Sequence, residues 1–313
     1  MILTVTMNPS IDMAYDLSQL KLDEVNRAAS VQKTAGGKGL NVTRVIQQMG
    51  QPVIATGLLG GRFGEFISDK LAAEKIAADF TKIAGETRNS IALLHDGGKQ
   101  TEVLEKGPEI SSDERARFLK DFERLLAKAE LVTISGSLPQ GLAADFYSQL
   151  IEIAKQKKVA VLLDTSGNSL KAALASKCPP LLIKPNAAEL GDLINQKITD
   201  SDTTAVVAAL KNPIFDKLEW ISTSLGSNGA IVKYQNKLYR AEIPKVNAVS
   251  PVGSGDASLA GLAIGISLQQ TPVDTIKTSM TLGILNALEI ATGWVNPKNF
   301  KKYFAQVKVT EIQ

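Results

Sequence analysis

The chain of 313 residues has a formal net charge of +3 and no clustered basic run, so it lacks the charge pattern of proteins that bind nucleic acid or anionic membranes. It contains one cysteine, Cys178, and one histidine, His95, which excludes an internal disulfide and a zinc site built from cysteine and histidine. Any nucleophile that needs a histidine base would depend on His95 alone, and this residue is expected beside a hairpin turn.

The N-terminal sequence MILTVTMNPSID is apolar from its second residue and turns polar at Asn8. This pattern predicts a first β-strand rather than a signal peptide, because no basic segment precedes the apolar residues. No apolar run approaches the roughly 20 residues that a membrane-spanning helix needs. The sequence therefore favours a soluble protein of the reducing cytoplasm.

Two segments in the first third of the chain have the two-residue period of half-buried strands. Apolar and polar side chains alternate from Ile11 to Leu17. The runs Ile91–Leu94 and Thr101–Leu104 flank Asp96-Gly97-Gly98, a sequence typical of a hairpin turn. These patterns predict a small antiparallel sheet beside the main fold.

We interpret this small sheet as a lid that is inserted into an α/β core. The lid comprises residues 10–34 and 77–107, and the core comprises residues 1–9, 35–76 and 108–313. A sheet with one apolar face needs a cover, which is either the core or a second copy of the sheet. The lid is therefore predicted to form the interface of a homodimer.

The segment Gly36–Asn41, with the sequence GGKGLN, opens a predicted helix. It is not a P-loop, because Lys38 is followed by glycine rather than by Ser or Thr. The glycines let a ligand approach the backbone, and Lys38 and Asn41 could hold its phosphate and hydroxyl groups, although a flexible turn is an equal alternative. Arg88, at the entrance to the hairpin, offers a planar donor for a phosphate, but a single surface arginine often binds nothing specific.

From Glu109 onward, helical periods alternate with short β-rich runs. Ser111 and Glu114 have the spacing of a capping box at the start of a helix. The alternation predicts a mainly parallel sheet that is covered on both faces. Four of its predicted strands end in polar clusters, and ligands bind at such strand ends in open α/β sheets. These clusters are Ser135–Ser137, Asp164–Ser166, Lys184–Asn186 and Ser224–Gly226.

Two of these clusters extend into motifs. In K-P-N-x-x-E, Asn186 and Glu189 lie one helical turn apart, an arrangement that suits Mg²⁺ held through its waters. The alternative is an ordinary N-cap with Glu at the third helical position. The glycine turn from Ser224 to Gly229 could place a nucleotide against the backbone, or it is only a hairpin.

The strongest local signal is P-V-G-S-G-D, which opens an apolar helix. Gly253 and Gly255 allow a tight turn whose N–H groups form an anion hole at the positive end of that helix. Asp256 beside it could accept a proton from a hydroxyl that receives a phosphoryl group. Helix capping by Asp256 is one alternative. The other is a dinucleotide fingerprint. It is weak because the third glycine is replaced by Ser258 and because Asp274, at the distance of its acidic residue, follows Thr271-Pro272 at a predicted helix start and not at a strand end.

Taken together, G-G-K-G-x-N, K-P-N-x-x-E, S-L-G and G-S-G-D in this order resemble the PfkB carbohydrate kinase family over essentially the whole chain. The resemblance implies a ribokinase-like three-layer α/β sandwich with a mainly parallel central sheet and a small antiparallel β-sheet lid. Within the family, the segments Gly85–Asn89, Glu105–Glu109 and Thr292–Asn296 resemble the tagatose-6-phosphate kinases most. The 1-phosphofructokinases share the same site motifs.

The resemblance implies a role for each motif residue. Asp256 is the base, and the amides of Gly253, Ser254 and Gly255 form the anion hole. Asn186 and Glu189 place Mg²⁺ through its waters, and Lys184 approaches the ATP phosphates. The nucleotide site is lined by Ser224, Gly226 and Gly229. The sugar side is formed by Asp12, Gly37 and Asn41 for hydroxyls, and by Lys38, Arg88, Ser137 and a partner chain's Arg27 for the phosphate.

The implied reaction uses ATP and Mg²⁺ to convert D-tagatose 6-phosphate to D-tagatose 1,6-bisphosphate, in the breakdown of lactose and galactose. Phosphorylation of fructose 1-phosphate is the nearest alternative. A non-catalytic sugar-phosphate sensor on the same scaffold is a second, since fold does not fix function. A nicotinamide-dependent dehydrogenase is disfavoured by the incomplete fingerprint.

Overall fold

The computed structural model describes residues 1–313, which form two sheets and ten α-helices. The strands are β1 Ile2–Thr6, β2 Ser10–Asp16, β3 Ser30–Gly36, β4 Val53–Gly60, β5 Thr81–Ile83, β6 Arg88–His95, β7 Lys99–Leu104, β8 Leu131–Ser135, β9 Ala160–Asp164, β10 Leu182–Ile183, β11 Trp220–Ser224, β12 Ala230–Tyr234, β13 Lys237–Glu242 and β14 Lys308–Ile312. The helices are α1 Lys38–Gln48, α2 Gly61–Ala73, α3 Ser112–Leu126, α4 Phe146–Gln156, α5 Gly167–Ala175, α6 Ala187–Leu193, α7 Thr203–Leu210, α8 Ser254–Ser267, α9 Pro272–Ala287 and α10 Phe300–Phe304.

The larger sheet has ten strands in the order β14-β13-β12-β11-β10-β9-β8-β1-β4-β5. The strands from β11 to β5 are parallel, and each connection between sequential parallel strands passes through at least one helix. Strands β12, β13 and β14 add antiparallel at one edge. The predicted mainly parallel sheet is confirmed.

Helices cover the larger sheet on both faces because its strands are apolar on both faces. In β1, Leu3 and Val5 belong to the cluster formed with α3 and α4, whereas Ile2 belongs to the cluster formed with α1 and α8. Helix α8 is buried along most of its length, between the sheet, α1 and α9. Gly261 permits this packing, since a Cβ there would lie 2.5 Å from the Cα of Ser279.

The smaller sheet has the order β3-β2-β6-β7 and forms the lid. Its outer pairs are antiparallel hairpins, whereas the central pair, β2 with β6, is parallel with Ser10 opposite Arg88. Because side chains alternate along a strand, Ile11 and Met13 of β2 pack toward Ile67 of α2, and the opposite face of the lid carries Ser10, Asp12 and Arg88.

Strand β5 falls within the range 77–107 predicted for the lid, but it pairs with β4 in the larger sheet. The predicted start of the second lid segment is therefore too early, and its lid strands begin at Arg88. A strand of three residues, such as β5, is too short to show a sequence pattern that indicates which sheet it joins.

Local helix signals are accurate in two places. The capping box of Ser111 and Glu114 is present at the start of α3, with both reciprocal hydrogen bonds. Asp274 lies in the first turn of α9, capped by Thr271, and not at a strand end. No helix of the structure is long and apolar enough to cross a membrane.

Candidate active site

A cleft of about 440 Å³ lies at the carboxyl ends of β9, β10 and β11, between the N-terminus of α8 and the lid. A polar lobe of about 200 Å³ adjoins it. A larger groove of about 710 Å³ runs between α5 and α6 and shares only Glu189 with the cleft and Ser166 with the lobe. The predicted site residues that line the cleft are Asp12, Gly37, Lys38, Asn41, Arg88, Lys184, Asn186, Glu189, Ser224, Gly253, Gly255 and Asp256.

Asp256 lies in the first turn of α8, with its side chain buried at the cleft wall. Asn41 of α1 donates a hydrogen bond from Nδ2 to Asp256 Oδ2 over 2.8 Å. Burial, with a smaller contribution from the Asp164 carboxylate, raises the pKa of Asp256 to about 6, while Lys38, Asn41 and Lys184 oppose this rise. Asp256 is therefore ionised at neutral pH but a better proton acceptor than an exposed aspartate.

The turn before α8 presents free backbone N–H groups to the cleft. Gly253 has a left-handed φ of 82°, and no side chain caps the helix. The N–H groups of Gly253 and Gly255 donate to no group of the protein, whereas that of Ser254 donates to the Pro251 carbonyl over 3.2 Å. In this conformation the Ser254 amide closes the turn, and its place in the anion hole stays a prediction.

A buried carboxylate lies between two lysines on the floor of the cleft. Asp164, at the end of β9, is 3.7 Å from Lys38 Nζ through Oδ1 and 3.4 Å from Lys184 Nζ through Oδ2. Lys184 is buried and Lys38 is exposed. The Asp164 carboxylate holds the pKa of Lys38 above its usual range. The Lys38 ammonium group therefore stays charged beside the cleft.

Asp12 of β2 enters the cleft from the lid. Ser10 Oγ donates to Asp12 Oδ1 over 2.6 Å. Burial raises the pKa of Asp12 above its usual range. Gly36 leaves space for the carboxylate, because a Cβ there would lie 2.0 Å from Asp12 Cγ. Asp12 is thus a fixed acceptor for hydroxyl groups.

The polar lobe contains no hydrophobic and no acidic side chain, and it receives positive charge from Lys38 and Arg88. Arg88 donates from Nε to the Asn8 carbonyl over 3.2 Å and from Nη1 to the Glu105 carbonyl over 3.1 Å, which fixes the plane of its guanidinium. Ser137 Oγ accepts from Asn8 Nδ2 over 3.3 Å. This lobe has the charge and donors that a phosphate group requires.

The lobe also contains hydroxyl groups that the sequence motifs missed. Thr6 and Ser135, at the carboxyl ends of β1 and β8, have buried hydroxyls without a hydrogen-bond partner. Tyr147 lies beneath the adjoining turn and donates from its hydroxyl to the Gly136 carbonyl over 3.1 Å. Only the position of Ser135 at a predicted strand end gave a signal in the sequence.

A model described as pfkB family carbohydrate kinase matches residues 5–299 of the chain. The chain belongs to the PfkB family. The predicted family and its ribokinase-like fold are therefore confirmed, and the chain is a carbohydrate kinase. Kinases of this family use ATP and Mg²⁺.

Solved structures of other sugar kinases superpose on this kinase over nearly its whole length. A protein assigned as a phosphofructokinase from Staphylococcus aureus is 30% identical, with a TM-score of 0.84 and coverage of 100% of this chain and 99% of that chain. Phosphofructokinase-2 from Escherichia coli in complex with fructose-6-phosphate is 26% identical, with a TM-score of 0.86 and coverage of 97% and 98%. A protein assigned as a 1-phosphofructokinase from Thermotoga maritima, at 22% identity and a TM-score of 0.83, covers 100% and 99% and shows the shared fold.

Asn186 and Glu189 of the kinase form a capping box at the start of α6. Asn186 Oδ1 accepts from the Glu189 N–H over 2.8 Å, and Glu189 Oε2 accepts from the Asn186 N–H over 2.9 Å. Glu189 Oε1 remains free at the cleft. The arrangement fits Mg²⁺ that keeps its waters, since one free carboxylate oxygen suffices for such a site.

Five predicted residues lie outside the lining of the cleft. Two of them have been described above: Ser137 lines the lobe, and Ser254 closes the turn before α8. Gly226 and Gly229 form the turn between β11 and β12, next to Ser224. Arg27 is exposed on the loop between β2 and β3. His95 lies at the end of β6, where its ring nitrogens contact Asp96 and Thr101. The absence of histidine from the cleft agrees with a carboxylate base.

Asp164 is a buried charged residue of the cleft to which sequence reasoning gave no role. It was part of a polar cluster at a predicted strand end, but no motif singled it out. Its proximity to both lysines depends on the adjacency of β9 and β10 and on the loop before α1. A pattern along the chain does not show that adjacency.

Proposed function

We propose that the kinase transfers the γ-phosphoryl group of ATP to the C1 hydroxyl of a ketohexose 6-phosphate, and that D-tagatose 6-phosphate is its substrate. One observation carries this proposal: the lobe with Lys38 and Arg88, free of carboxylates, opens into the cleft that holds Asp256. A sugar with its phosphate in the lobe would extend its other end toward the base and the anion hole.

In this mechanism Asp256 accepts the proton of the C1 hydroxyl while the oxygen attacks the γ-phosphorus of ATP, and ADP leaves as the bond to its β-phosphate oxygen breaks. The free amides of Gly253 and Gly255 stabilise the charge on the transferred group. Lys184 neutralises the phosphates of ATP from the floor of the cleft, and Asp12 and Asn41 orient the sugar hydroxyls. Glu189 would hold Mg²⁺ through water, and the ion would neutralise charge on the nucleotide phosphates.

Fructose 6-phosphate and fructose 1-phosphate are alternative substrates for the same site. The chain's own segments favour tagatose 6-phosphate, whereas the S. aureus and E. coli structures of similar fold are those of phosphofructokinases. Fructose 1-phosphate would present the C6 hydroxyl to Asp256 and leave the mechanism unchanged. A coupled ADP-release assay should give the highest kcat/KM for tagatose 6-phosphate. A higher kcat/KM for fructose 1-phosphate would contradict the assignment of tagatose 6-phosphate as the substrate but would leave the mechanism unchanged.

Substitution of Arg88 tests whether the polar lobe binds the phosphate group of the sugar. Arg88→Lys removes the planar pair of donors, and each hydrogen bond to a charged group contributes about 1.5–3 kcal/mol. We expect KM for the sugar phosphate to rise about 10- to 100-fold, with little change in KM for MgATP. Arg62→Lys, an exposed arginine on α2, serves as the matched control. Equal rises in both KM values for Arg88→Lys would contradict a role at the sugar phosphate.

We further infer that the lid forms a homodimer. Six apolar side chains of the lid are exposed, namely Leu22, Val25, Val31, Leu94, Val103 and Leu104. Val31 and Val103 lie on the face opposite to Asp12 and Arg88, since strand register places them beside Tyr15 and Ile91. A second copy of the lid would cover this apolar surface. E. coli phosphofructokinase-2 has been solved in a tetrameric inhibited form.

Val103→Glu tests the dimer, because a buried unpaired carboxylate at the interface opposes association. Light scattering after gel filtration should give the mass of two chains for the wild type and of one chain for Val103→Glu. The matched control is Ile214→Glu, which places the same charge on an exposed apolar residue far along the chain from the lid. A monomeric wild type, or a dimeric Val103→Glu, would contradict the interface.

A further inference from the structure

Asp164 differs from the other polar side chains of the cleft in its partners. Its side chain is 3% exposed, and no hydroxyl, amide or backbone N–H donates to it. Its partners are the ammonium groups of Lys38 and Lys184, at 3.7 and 3.4 Å. A buried carboxylate requires compensation by charge, so the three groups form one electrostatic unit.

The two lysines belong to different parts of the cleft. Lys38 lines the polar lobe as well as the cleft and begins α1, whereas Lys184 follows β10 beside Asn186 and Ser224. Asp164 follows β9, the neighbour of β10 in the sheet. The carboxylate therefore lies where the sugar-phosphate end and the nucleotide end of the cleft meet.

Without the Asp164 carboxylate, nothing in the protein would hold the Lys38 side chain in the cleft. Its side chain is 46% exposed, and a flexible ammonium group on the surface is best hydrated when it extends into water. Two ammonium groups on the same floor also repel one another. A carboxylate between them attracts both and offsets that repulsion, which fixes each lysine close to the position of an incoming phosphate.

We propose that Asp164 is a positioning residue, which holds the ammonium groups of Lys38 and Lys184 over the two phosphate-binding ends of the cleft and so couples the sugar site to the nucleotide site. The inference rests on the proposed function. It assigns Asp164 no contact with the reacting atoms, and the base remains Asp256.

The geometry has a second consequence for Asp256. The charged and polar groups that face Asp256 are Asp164, Lys38, Lys184 and Asn41. The Asp164 charge raises the pKa of Asp256, whereas both lysines lower it. Removal of the Asp164 charge while the lysines remain must therefore lower the pKa of the base. A purely structural role for Asp164 would not move this value in a defined direction.

The test replaces Asp164 by asparagine, which has the same shape without the charge. We expect KM to rise about tenfold for both the sugar phosphate and MgATP. We also expect the acid limb of the kcat/KM profile to move to lower pH by about half a unit or more. Asp192→Asn, an exposed residue on α6, is the matched control and should change none of these values.

Two results would overturn the inference. One is a KM that rises for a single substrate, with an acid limb that does not move. The other is a higher Mg²⁺ requirement as the sole change, because Asp164 would then act on the metal. In a Lys38→Met background, Asp164→Asn should have little further effect on KM for the sugar phosphate. If the effects of the two substitutions on KM for the sugar phosphate were additive in this double-mutant cycle, positioning through Lys38 would also be contradicted.

Lys38→Met by itself keeps the inference testable if Asp164→Asn does not fold. Loss of Lys38 leaves the Asp164 charge only half compensated beside the nucleotide phosphates and draws Lys184 toward the carboxylate. KM for MgATP should therefore rise although Lys38 lies at the sugar end, and an unchanged KM for MgATP would overturn the coupling. Calorimetric binding of MgADP to these variants needs no turnover, so it separates failure of this inference from failure of the proposed reaction.

Discussion

Asp256→Asn is expected to lower kcat by about 10²–10⁴-fold, the contribution typical of a general base. The amide is nearly the same shape and can still accept the hydrogen bond from Asn41, so the binding of both substrates should change little. Steady-state kinetics and calorimetric binding of the sugar phosphate measure the two effects separately. Asp192→Asn again provides the control for the substitution itself. Turnover close to that of the wild type would contradict the assignment of the base.

The same substitution should make the protein more stable at pH 8. The pKa of Asp256 is raised from 3.8 to about 6 in the folded chain, so the folded state binds a proton more tightly than the unfolded state. The stability contributed by this group is present below pH 3.8 and is lost as the pH rises through about 6. Asparagine removes that cost, which is about 2–3 kcal/mol. Thermal unfolding at pH 8 and at pH 4 should show the gain at pH 8 only.

Gly253→Ala is the second substitution with a large expected effect. The left-handed φ of 82° disfavours alanine, and the added Cβ would lie 2.5 Å from Thr292 Cγ2. The Cβ would also lie 3.2 Å from Asn286 Oδ1, and Asn286 is held in place because it donates to the Val252 carbonyl and accepts from the Gly293 N–H, each over 2.8 Å. The turn must therefore move and carry the free amides with it. We expect kcat to fall about 10²–10³-fold, as for the loss of an oxyanion donor.

Gly50→Ala is the matched control for this prediction. Gly50 also has a left-handed φ, of 72°, but a Cβ there has no atom within 4 Å. This variant should lose about 1 kcal/mol of stability from backbone strain and retain full kcat. If Gly253→Ala loses no more activity than Gly50→Ala, the turn before α8 does not bind the transferred group.

Much of the fold could be predicted from local patterns. The alternation after Glu109 predicted the parallel sheet, and the alternation from Ile11 to Leu17 predicted β2 because each pattern reflects burial on known faces. The parallel pairing of β2 with β6 could not be predicted, since a two-residue period shows which face is buried and not which strand lies alongside. The assignment of β5 to the lid failed for the same reason.

Site residues that are close together in the sequence could be predicted, whereas contacts between distant residues could not. Asp256, Gly253 and Gly255 lie within four consecutive positions, so the helix start alone brings them together. Asn186 and Glu189 form the helix cap that was one interpretation of their spacing, and they remain compatible with the other, a Mg²⁺ site, because the capping box leaves one carboxylate oxygen free. Longer-range contacts had no local signal. The contact of Asn41 with Asp256 spans 215 positions, and only the packing of α1 on α8 creates it.

The central claim is that one end of the cleft selects a phosphate while the other phosphorylates a hydroxyl. The most direct measurement compares kcat/KM for D-tagatose 6-phosphate and unphosphorylated D-tagatose with MgATP, with ³¹P NMR of the products. The account predicts a preference of about 10²-fold or more for the phosphorylated sugar, from two charged donors, and a product phosphorylated at both C1 and C6. Equal kcat/KM for the two sugars, or no turnover of either despite tight binding of the sugar phosphate, would contradict it.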